Sequence, residues 1–263
     1  MYNFDVETPG SVADAVAALG QEDAQALGGG QTLIPTLKQR LASPSVLVSL
    51  SGIAEMKGVC KTDDGQLSVG GATTHATVAQ AAANEFPGLA GMAGHIGDPA
   101  VRNRGTIGGS LANNDPSACY PAGALGAGAT IVTNNREIAA DDYFQGMFTT
   151  DLEEGEIITE VRFPIPQASN YQKFVQPASR FALVGVFVAK FADGVRVAVT
   201  GASNDGVFRW SEAEAALGSN FAPEALDGLS VADDDMINDL HGTAVYRAHL
   251  VGVMAKRAVA AAS

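Results

Sequence analysis

Two glycine-rich segments contain the residues whose types and spacing could support chemistry. The first is a glycine run that leads into polar and apolar side chains, namely Gly28, Gly29, Gly30, Gln31, Thr32 and Leu33. Glycines at the end of a strand expose several main-chain N–H groups in one concavity, which can bind phosphate oxygens without a lysine. The run is neither a Walker A loop nor a G-x-G-x-x-G fingerprint, and an ordinary turn is the alternative. If it binds phosphate, a bulky residue at Gly29 should displace the ligand while the fold survives.

The second segment combines another glycine pair with hydroxyl, amide and carboxyl side chains, namely Thr106, Ile107, Gly108, Gly109, Ser110, Asn113 and Asp115. Two separate glycine-rich loops suit a ligand with a long polar middle, such as a pyrophosphate joined to a ribityl chain. For Thr106 and Ser110 the alternative is local turn capping. For Arg102 and Arg104, which precede the glycines, the alternative is a solvated surface pair.

The composition argues against several classes of function. The formal net charge is −13 and only 16 residues are Lys or Arg, whereas binding to nucleic acid depends on basic side chains against phosphates. The two cysteines, Cys60 and Cys119, are too few for the thiolates of an iron–sulfur cluster. The histidines share no metal-ligand spacing with each other or with the cysteines. We therefore assign no metal, and we name no catalytic acid, base or nucleophile.

The sequence also predicts where the protein works. Residues 1–10 lack the basic and apolar pattern of a secretory signal. No segment approaches the roughly 18 consecutive apolar residues of a membrane helix. We expect a cytoplasmic protein without a membrane span.

The hydrophobic pattern predicts the elements that position the first glycine loop. Ser11 caps a helix over residues 12–19, and a strand at 24–27 runs directly into the glycines. A helix at 33–41 and a strand at 46–49 complete a β–glycine turn–α–β unit.

A second α/β region follows and leads into a β-rich region. We expect a helix with Thr74 or His75 near its start, at 77–83, and a long loop over 96–110. The remaining expected elements are strands at 67–70, 129–133, 157–163, 182–191 and 195–200 and a final helix at 243–262. Two prolines within residues 163–170 mark this segment as the linker between the regions, because proline disrupts regular structure.

The two loops, in this order, carry a family resemblance. GGGQTLIP at 28–35 and RNRGTIGGSLANNDPSACYPA at 102–122 resemble the two FAD loops of the medium subunits of molybdenum hydroxylases. That family includes carbon monoxide dehydrogenase, xanthine dehydrogenase and the nicotine and quinoline dehydrogenases. Residues 2–19 and 245–259 resemble the family's opening segment and closing helix, so the resemblance covers nearly the whole chain.

The resemblance implies an α+β fold. An FAD-binding domain of the p-cresol methylhydroxylase type would occupy residues 1–166, with two α/β subdomains at about 1–57 and 58–166. A smaller α+β C-terminal domain, of the carbon monoxide dehydrogenase flavoprotein type, would occupy 167–263. The flavin would lie in the crevice between the domains.

The resemblance also implies roles for the residues that match the family's motifs. Residues 28–32 would hold the FAD pyrophosphate, with Leu33 beside the cofactor. Residues 106–110 would form the second half of the cradle, and Asn113 and Asp115 would hydrogen-bond near the ribityl chain.

Three further positions have alternative interpretations. His75 lies where the family runs close to the cofactor, although we favour helix capping. Phe181 matches a loop where relatives place an aromatic ring over the flavin, and a core phenylalanine is the alternative. Cys119 stands where relatives often have Asp, a change that concerns redox tuning and the acceptor more than the binding of FAD.

The function that the resemblance implies is electron transfer. A large partner subunit with molybdopterin would hydroxylate the substrate, and 2Fe–2S clusters on a small subunit would pass electrons to a non-covalent FAD in this chain and on to an external acceptor. We expect a dimer of such heterotrimers. A stand-alone FAD-dependent reductase, resembling the enolpyruvyl-glucosamine reductases, and a non-catalytic assembly subunit are the alternatives.

Overall fold

Three β-sheets, a two-stranded ribbon and the helices packed on them make up the described part of the chain. The computed structural model describes residues 1–177 and 179–263. None of the helices within these ranges is long and apolar enough to cross a bilayer. The fold mixes α and β structure throughout, as predicted.

The first sheet is small and parallel, with the strand order β1-β3-β2. Its strands are β1 (Asp5–Glu7), β2 (Ala24–Leu27) and β3 (Val46–Ser49), and its helices are α1 (Val12–Leu19) and α2 (Leu33–Lys38). The Ser11 side chain caps α1 by accepting a hydrogen bond from the Asp14 amide at 3.1 Å. Helix α2 is shorter than predicted, because it ends at Lys38 rather than near residue 41.

The second sheet is antiparallel, with the order β4-β5-β10-β6-β7. These strands are β4 (Val59–Lys61), β5 (Leu67–Gly70), β6 (Thr130–Thr133), β7 (Glu137–Ala139) and β10 (Ile158–Phe163). A short ribbon pairs β8 (Phe144–Gly146) with β9 (Thr149–Thr150). The helices of this region are α3 (His75–Ala81), α4 (Pro87–Gly94), α5 (Pro99–Arg102), α6 (Ile107–Asn113), α7 (Cys119–Ala127) and α8 (Ala140–Tyr143).

The predicted long loop over 96–110 is wrong. It contains α5 and the start of α6, and both helices begin at capping side chains. Asp98 accepts from the Val101 amide at 3.0 Å, and Thr106 accepts from the Gly109 amide at 3.2 Å. A good cap stabilises a helix start that contains glycines, which have low helix propensity.

The third sheet is an antiparallel meander, with the order β11-β12-β13-β14. Its strands are β11 (Ala168–Val175), β12 (Ala182–Lys190), β13 (Val195–Ser203) and β14 (Gly206–Arg209), with α9 (Ser211–Ser219) and α10 (Ala244–Ala261) against it. Short 3-10 turns lie at Leu50–Gly52, Ala54–Met56 and Pro223–Leu226. The predicted linker over 163–170 is wrong at its end, because β11 begins at Ala168, directly after the prolines.

Helix α7 joins the second and third sheets. All of its residues are buried, and a Cβ at Gly126 would lie 2.9 Å from the Phe187 ring on β12. Phe187 also packs edge-on against Phe86, with ring centroids 6.0 Å apart. One hydrophobic core therefore continues from the second sheet into the third, and it fixes the position of the third sheet against the glycine-rich loops.

Candidate functional site

A cavity of about 1170 Å³ opens where the three sheets meet. It is lined by almost all the residues that the sequence predicts for a site: Gly28, Gly29, Gly30, Gln31, Thr32, Leu33, Thr106, Gly108, Gly109, Ser110, Asn113, Asp115 and Phe181. The fold therefore brings together segments that lie more than a hundred residues apart in the chain.

The first glycine loop, residues 28–33, has main-chain N–H groups without protein partners. Within the described part of the chain, no N–H group of residues 29–33 donates to a protein acceptor. Gly30 has φ +71°, a conformation that favours glycine. The carbonyls, in contrast, are used: Gly29 O accepts from the Gln31 side chain at 3.1 Å, and Gly30 O accepts from the Ile34 amide at 3.1 Å. The loop is held in shape while its donors stay available.

The second glycine loop, residues 105–110, uses its main chain to hold the structure. The amides of Ile107 and Gly108 donate to Thr73 O at 3.1 Å and to Gly71 O at 2.9 Å. The Thr106 hydroxyl caps α6, so the capping interpretation of Thr106 is confirmed.

Ile107, also predicted to be a site residue, does not line the cavity in this structure. Its side chain is fully buried in the hydrophobic core that continues from the second sheet into the third. Its amide is also engaged, as described above.

The two loops touch one another. A Cβ at Gly29 would collide with the main-chain carbonyl of Arg104, and a Cβ at Gly28 would lie 2.9 Å from the Thr106 hydroxyl. Both glycines are therefore required by the contact between the loops. This corrects the expectation that a bulky residue at Gly29 would affect the ligand alone.

Polar side chains beyond the second loop face the cavity. Ser110 and Asn113 have no side-chain hydrogen bond to a protein group within residues 1–177 and 179–263, so both can serve a ligand. Asp115 accepts from the Ser117 amide at 2.8 Å. Burial raises the pKa of the Asp115 carboxyl, although this hydrogen bond opposes the shift.

His75 lines the cavity and does not cap helix α3. Thr74 is the N-cap, since its hydroxyl accepts from the Thr77 amide, and His75 is the first helical residue. Its ring is buried, with Nδ1 lacking a protein partner among the described residues, and a Cβ at Gly105 would lie 2.5 Å from Nε2. Burial, helped by the charge of Arg102, lowers the pKa of His75 to about 4, so the ring is neutral near pH 7.

The third sheet contributes a lysine and an aromatic ring. Lys173 on β11 donates from Nζ to His95 O at 2.7 Å and to Arg180 O at 2.9 Å, and its Nζ lies 3.6 Å from Cys119 Sγ. This lysine could not be predicted from the sequence, because nothing in the pattern of an alternating strand marks one side chain as a contact to distant segments. Phe181 is 50% exposed, so the interpretation as a core phenylalanine is wrong.

The two arginines before the second loop differ. Arg102 donates from Nη1 to Ile96 O and to Gly97 O, both at 3.0 Å, and thereby fixes the loop beneath the cavity. Arg104 has an exposed side chain. The surface interpretation therefore fits Arg104 and fails for Arg102.

The cavity fits a large nucleotide cofactor. Its volume exceeds the roughly 300–1,000 Å³ of ordinary small-molecule pockets. Free main-chain N–H groups are suited to the oxygens of a pyrophosphate, and the apolar Leu33 and Phe181 offer surface to flat rings. No group of three or more His, Cys, Asp or Glu residues in the described ranges could hold a metal ion.

Comparisons with known proteins agree with this site. A family model for the FAD binding domain in molybdopterin dehydrogenase matches residues 2–166. The nicotine 6-hydroxylase medium subunit of Paenarthrobacter nicotinovorans is 35% identical, over 96% of this chain and 94% of that protein. The chain belongs to the FAD-binding medium subunits of the molybdenum hydroxylases.

Further relatives support this membership of the medium-subunit family. The carbon monoxide dehydrogenase medium chain of Hydrogenophaga pseudoflava is 34% identical, over 98% of this chain and 96% of that protein. A solved structure of carbon monoxide dehydrogenase from Hydrogenophaga pseudoflava superposes with a TM-score of 0.88 and 32% identity, covering 99% of this chain and 97% of that one. The medium subunit is thus an FAD-carrying electron-transfer subunit of an oxidoreductase, and a stand-alone reductase is not favoured.

Proposed function

We propose that the large cavity holds FAD without a covalent bond, in contact with the predicted residues other than Ile107. The free N–H groups of residues 29–33 would bind the pyrophosphate oxygens. Ser110, Asn113 and Asp115 would meet the ribityl chain, and Phe181 would lie beside the isoalloxazine ring.

We propose that this subunit works with a molybdopterin-binding large subunit and a small subunit that carries 2Fe–2S clusters. When bound, FAD would supply the redox chemistry that links the clusters to an external acceptor. The residues of this chain bind and orient the cofactor, and the neutral His75 keeps a further charge out of the cavity. No acid–base residue is needed for this outer electron transfer.

We further propose the organisation of the chain and of the complex. The FAD-binding domain would comprise residues 1–166, with subdomains at about 1–57 and 58–166, and the C-terminal domain would comprise 167–263. The separate first sheet supports the first division. A dimer of heterotrimers in the cytoplasm completes the proposal.

The single observation that carries the proposed site is the row of unused N–H donors beside a cavity large enough for a dinucleotide. The test begins with the purified chain loaded with FAD. Acid or heat denaturation should release the flavin, whereas a yellow colour that stays with the denatured polypeptide would contradict a non-covalent site.

The second part of the test concerns the electron path. Under anaerobic conditions, purine, nicotine-like or aldehyde substrates should fail to bleach the flavin of the isolated subunit. Adding the cognate large and small subunits should restore bleaching by the substrate of the complex. Bleaching by an organic substrate in the isolated chain would favour a stand-alone flavoenzyme instead.

A further inference from the structure

A buried cysteine lies at the edge of the large cavity, in the first turn of α7. Cys119 is 5% exposed, lines the cavity and is the first residue of the helix. The N-cap is Ala118, which has no side-chain acceptor, and the amides of Cys119 and Tyr120 donate to no protein oxygen among the described residues. The positive end of the helix dipole therefore stays unneutralised beside the Cys119 side chain.

Strand β11 places two donors against this cysteine. Tyr171 and Lys173 are two residues apart, so their side chains leave the same face of the strand. Lys173 donates from Nζ to the carbonyls of His95 and Arg180. Its third N–H group is directed to Cys119 Sγ, 3.6 Å away. The two carbonyls thus hold a positive charge beside the sulfur.

The Tyr171 hydroxyl is a donor without an acceptor. Tyr171 is 5% exposed, and its oxygen lies beside Cys119 with no hydrogen-bond partner among the described residues. Burial, helped by the adjacent Cys119, raises the pKa of Tyr171 well above its usual value, so the hydroxyl keeps its proton. A buried hydroxyl without a partner is costly. An oxygen atom bonded to Cys119 Sγ would supply the missing acceptor.

We propose that Cys119 is a site of reversible oxidation to sulfenic acid by hydrogen peroxide. The sulfur gives an electron pair to one peroxide oxygen, the S–O bond forms as the O–O bond breaks, and the leaving hydroxide takes the thiol proton to become water. The new oxygen would accept from Lys173 and Tyr171. Cysteines at helix N-termini or beside lysine are the reactive ones. Two molecules of a small thiol would restore the cysteine and release a disulfide and water.

A disulfide within the chain does not compete with this product. Cys60 is the only other cysteine, and it is unpaired and exposed on the edge strand β4, whereas Cys119 is buried against β11. A sulfenic acid at Cys119 therefore has no partner thiol in the same chain, and it would persist until a small thiol enters the cavity.

The oxidation would regulate the proposed flavin site, and this part of the inference rests on the proposed function. Because Cys119 lines the cavity, bound FAD would cover the thiol, and an oxygen added to the sulfur would take up space beside the cofactor. Bound FAD should therefore slow the oxidation, and oxidation of the flavin-free chain should weaken its binding of FAD.

The test uses a Cys60→Ser chain, in which Cys119 is the only thiol. The flavin-free chain is treated with hydrogen peroxide and then with dimedone, which labels sulfenic acids, and the label is located by mass spectrometry. Cys119 should be labelled at least about tenfold faster than Cys60 in the matched Cys119→Ser chain, although Cys60 is the exposed thiol. Prior loading with FAD should slow the labelling of Cys119 at least about tenfold.

Substitutions of the two donors separate this site from an ordinary buried thiol. Tyr171→Phe removes only the unpartnered hydroxyl, so the fold should be kept, and Lys173→Met removes the charge. Each should lower the yield of labelled Cys119 by about threefold to tenfold, the loss expected for one hydrogen bond. Lys256→Met is the matched control, because this exposed lysine on α10 pairs only with Asp227, and it should change nothing.

A fluorescence titration then compares FAD binding before and after peroxide. Peroxide should raise the dissociation constant for FAD at least about tenfold in the Cys60→Ser chain, dithiothreitol should reverse the change, and the Cys119→Ser chain should show no change. Labelling of Cys119 no faster than that of Cys60, or unchanged labelling in both donor variants, would overturn the proposed site. Unchanged FAD affinity would overturn its regulatory role. Failure of the untreated chain to bind FAD would instead contradict the proposed function and leave the labelling result standing.

Discussion

The two glycine-rich loops line the same cavity but use their main chains in opposite ways. In the first loop, the N–H groups of residues 29–33 have no protein acceptor within the described ranges. In the second, the amides of Ile107, Gly108 and Gly109 all donate to protein oxygens. The first loop therefore keeps its N–H donors available, whereas the donors of the second loop are used within the protein.

This difference shows that glycine is required for different reasons in similar motifs. Gly30 adopts a left-handed conformation, whereas Gly29 makes room for the carbonyl of Arg104. Gly108 in turn allows close approach to Gly71 O, which a Cβ would reach at 2.7 Å. A glycine in such a motif thus identifies a close contact, but the contact can be with protein rather than ligand.

The largest expected effect comes from breaking the contact between the loops. Gly29→Val should lower the free energy of unfolding by at least about 3 kcal/mol and abolish FAD retention, because its side chain would overlap the main chain of Arg104. Thermal unfolding and flavin absorbance measure the two effects. Gly91→Ala on α4 is the control, since a Cβ there meets nothing within 4 Å. A stable, flavin-free Gly29→Val chain would show that the glycine serves only the ligand.

A second large effect should appear on acidification, through His75 beneath the second loop. Its pKa is lowered from 6.5 to about 4 in the folded chain, so the unfolded chain binds the proton more strongly. The free energy of unfolding therefore keeps its full value above pH 6.5. It falls as the pH drops towards 4, by up to about 3 kcal/mol. Urea unfolding across this pH range should show the loss, and His75→Gln should flatten the profile. An identical profile in both proteins would show that His75 does not cause the loss of stability.

The elements that position the loops were largely predictable, and their mutual contacts were not. Alternating or apolar runs predicted β2, β3, β5, β12 and β13, because these signals are local. Helix α6 was missed because its first turn contains a glycine pair. The roles of His75 and Lys173 depend on segments that are distant in sequence. They could be seen only once the sheets were in place.

Removal of two hydroxyl groups from the second loop should distinguish a residue that stabilises the fold from one that binds the cofactor. Thr106→Ala removes the cap of α6 and should lower the free energy of unfolding by about 1 kcal/mol, measured by urea denaturation. Ser110→Ala removes a hydroxyl without a protein hydrogen bond among the described residues, so stability should stay within about 0.5 kcal/mol.

The smallest effect is the change in affinity that Ser110→Ala should cause. Loss of one hydrogen bond to the cofactor should raise the dissociation constant for FAD by about threefold to tenfold, measured by fluorescence titration of the flavin-free chain. A destabilised Ser110→Ala chain, or a Thr106→Ala chain of unchanged stability, would contradict these roles, in which Thr106 stabilises the loop and Ser110 binds the cofactor.

Hydrogen–deuterium exchange of the flavin-free and FAD-bound chain tests the central claim most directly. Without FAD, the amides of residues 29–33 should exchange rapidly, because no protein group accepts from them. Addition of FAD should slow them by at least about tenfold, while residues 107–109 should be protected in both states. Unchanged exchange at residues 29–33 on binding of FAD would contradict the account.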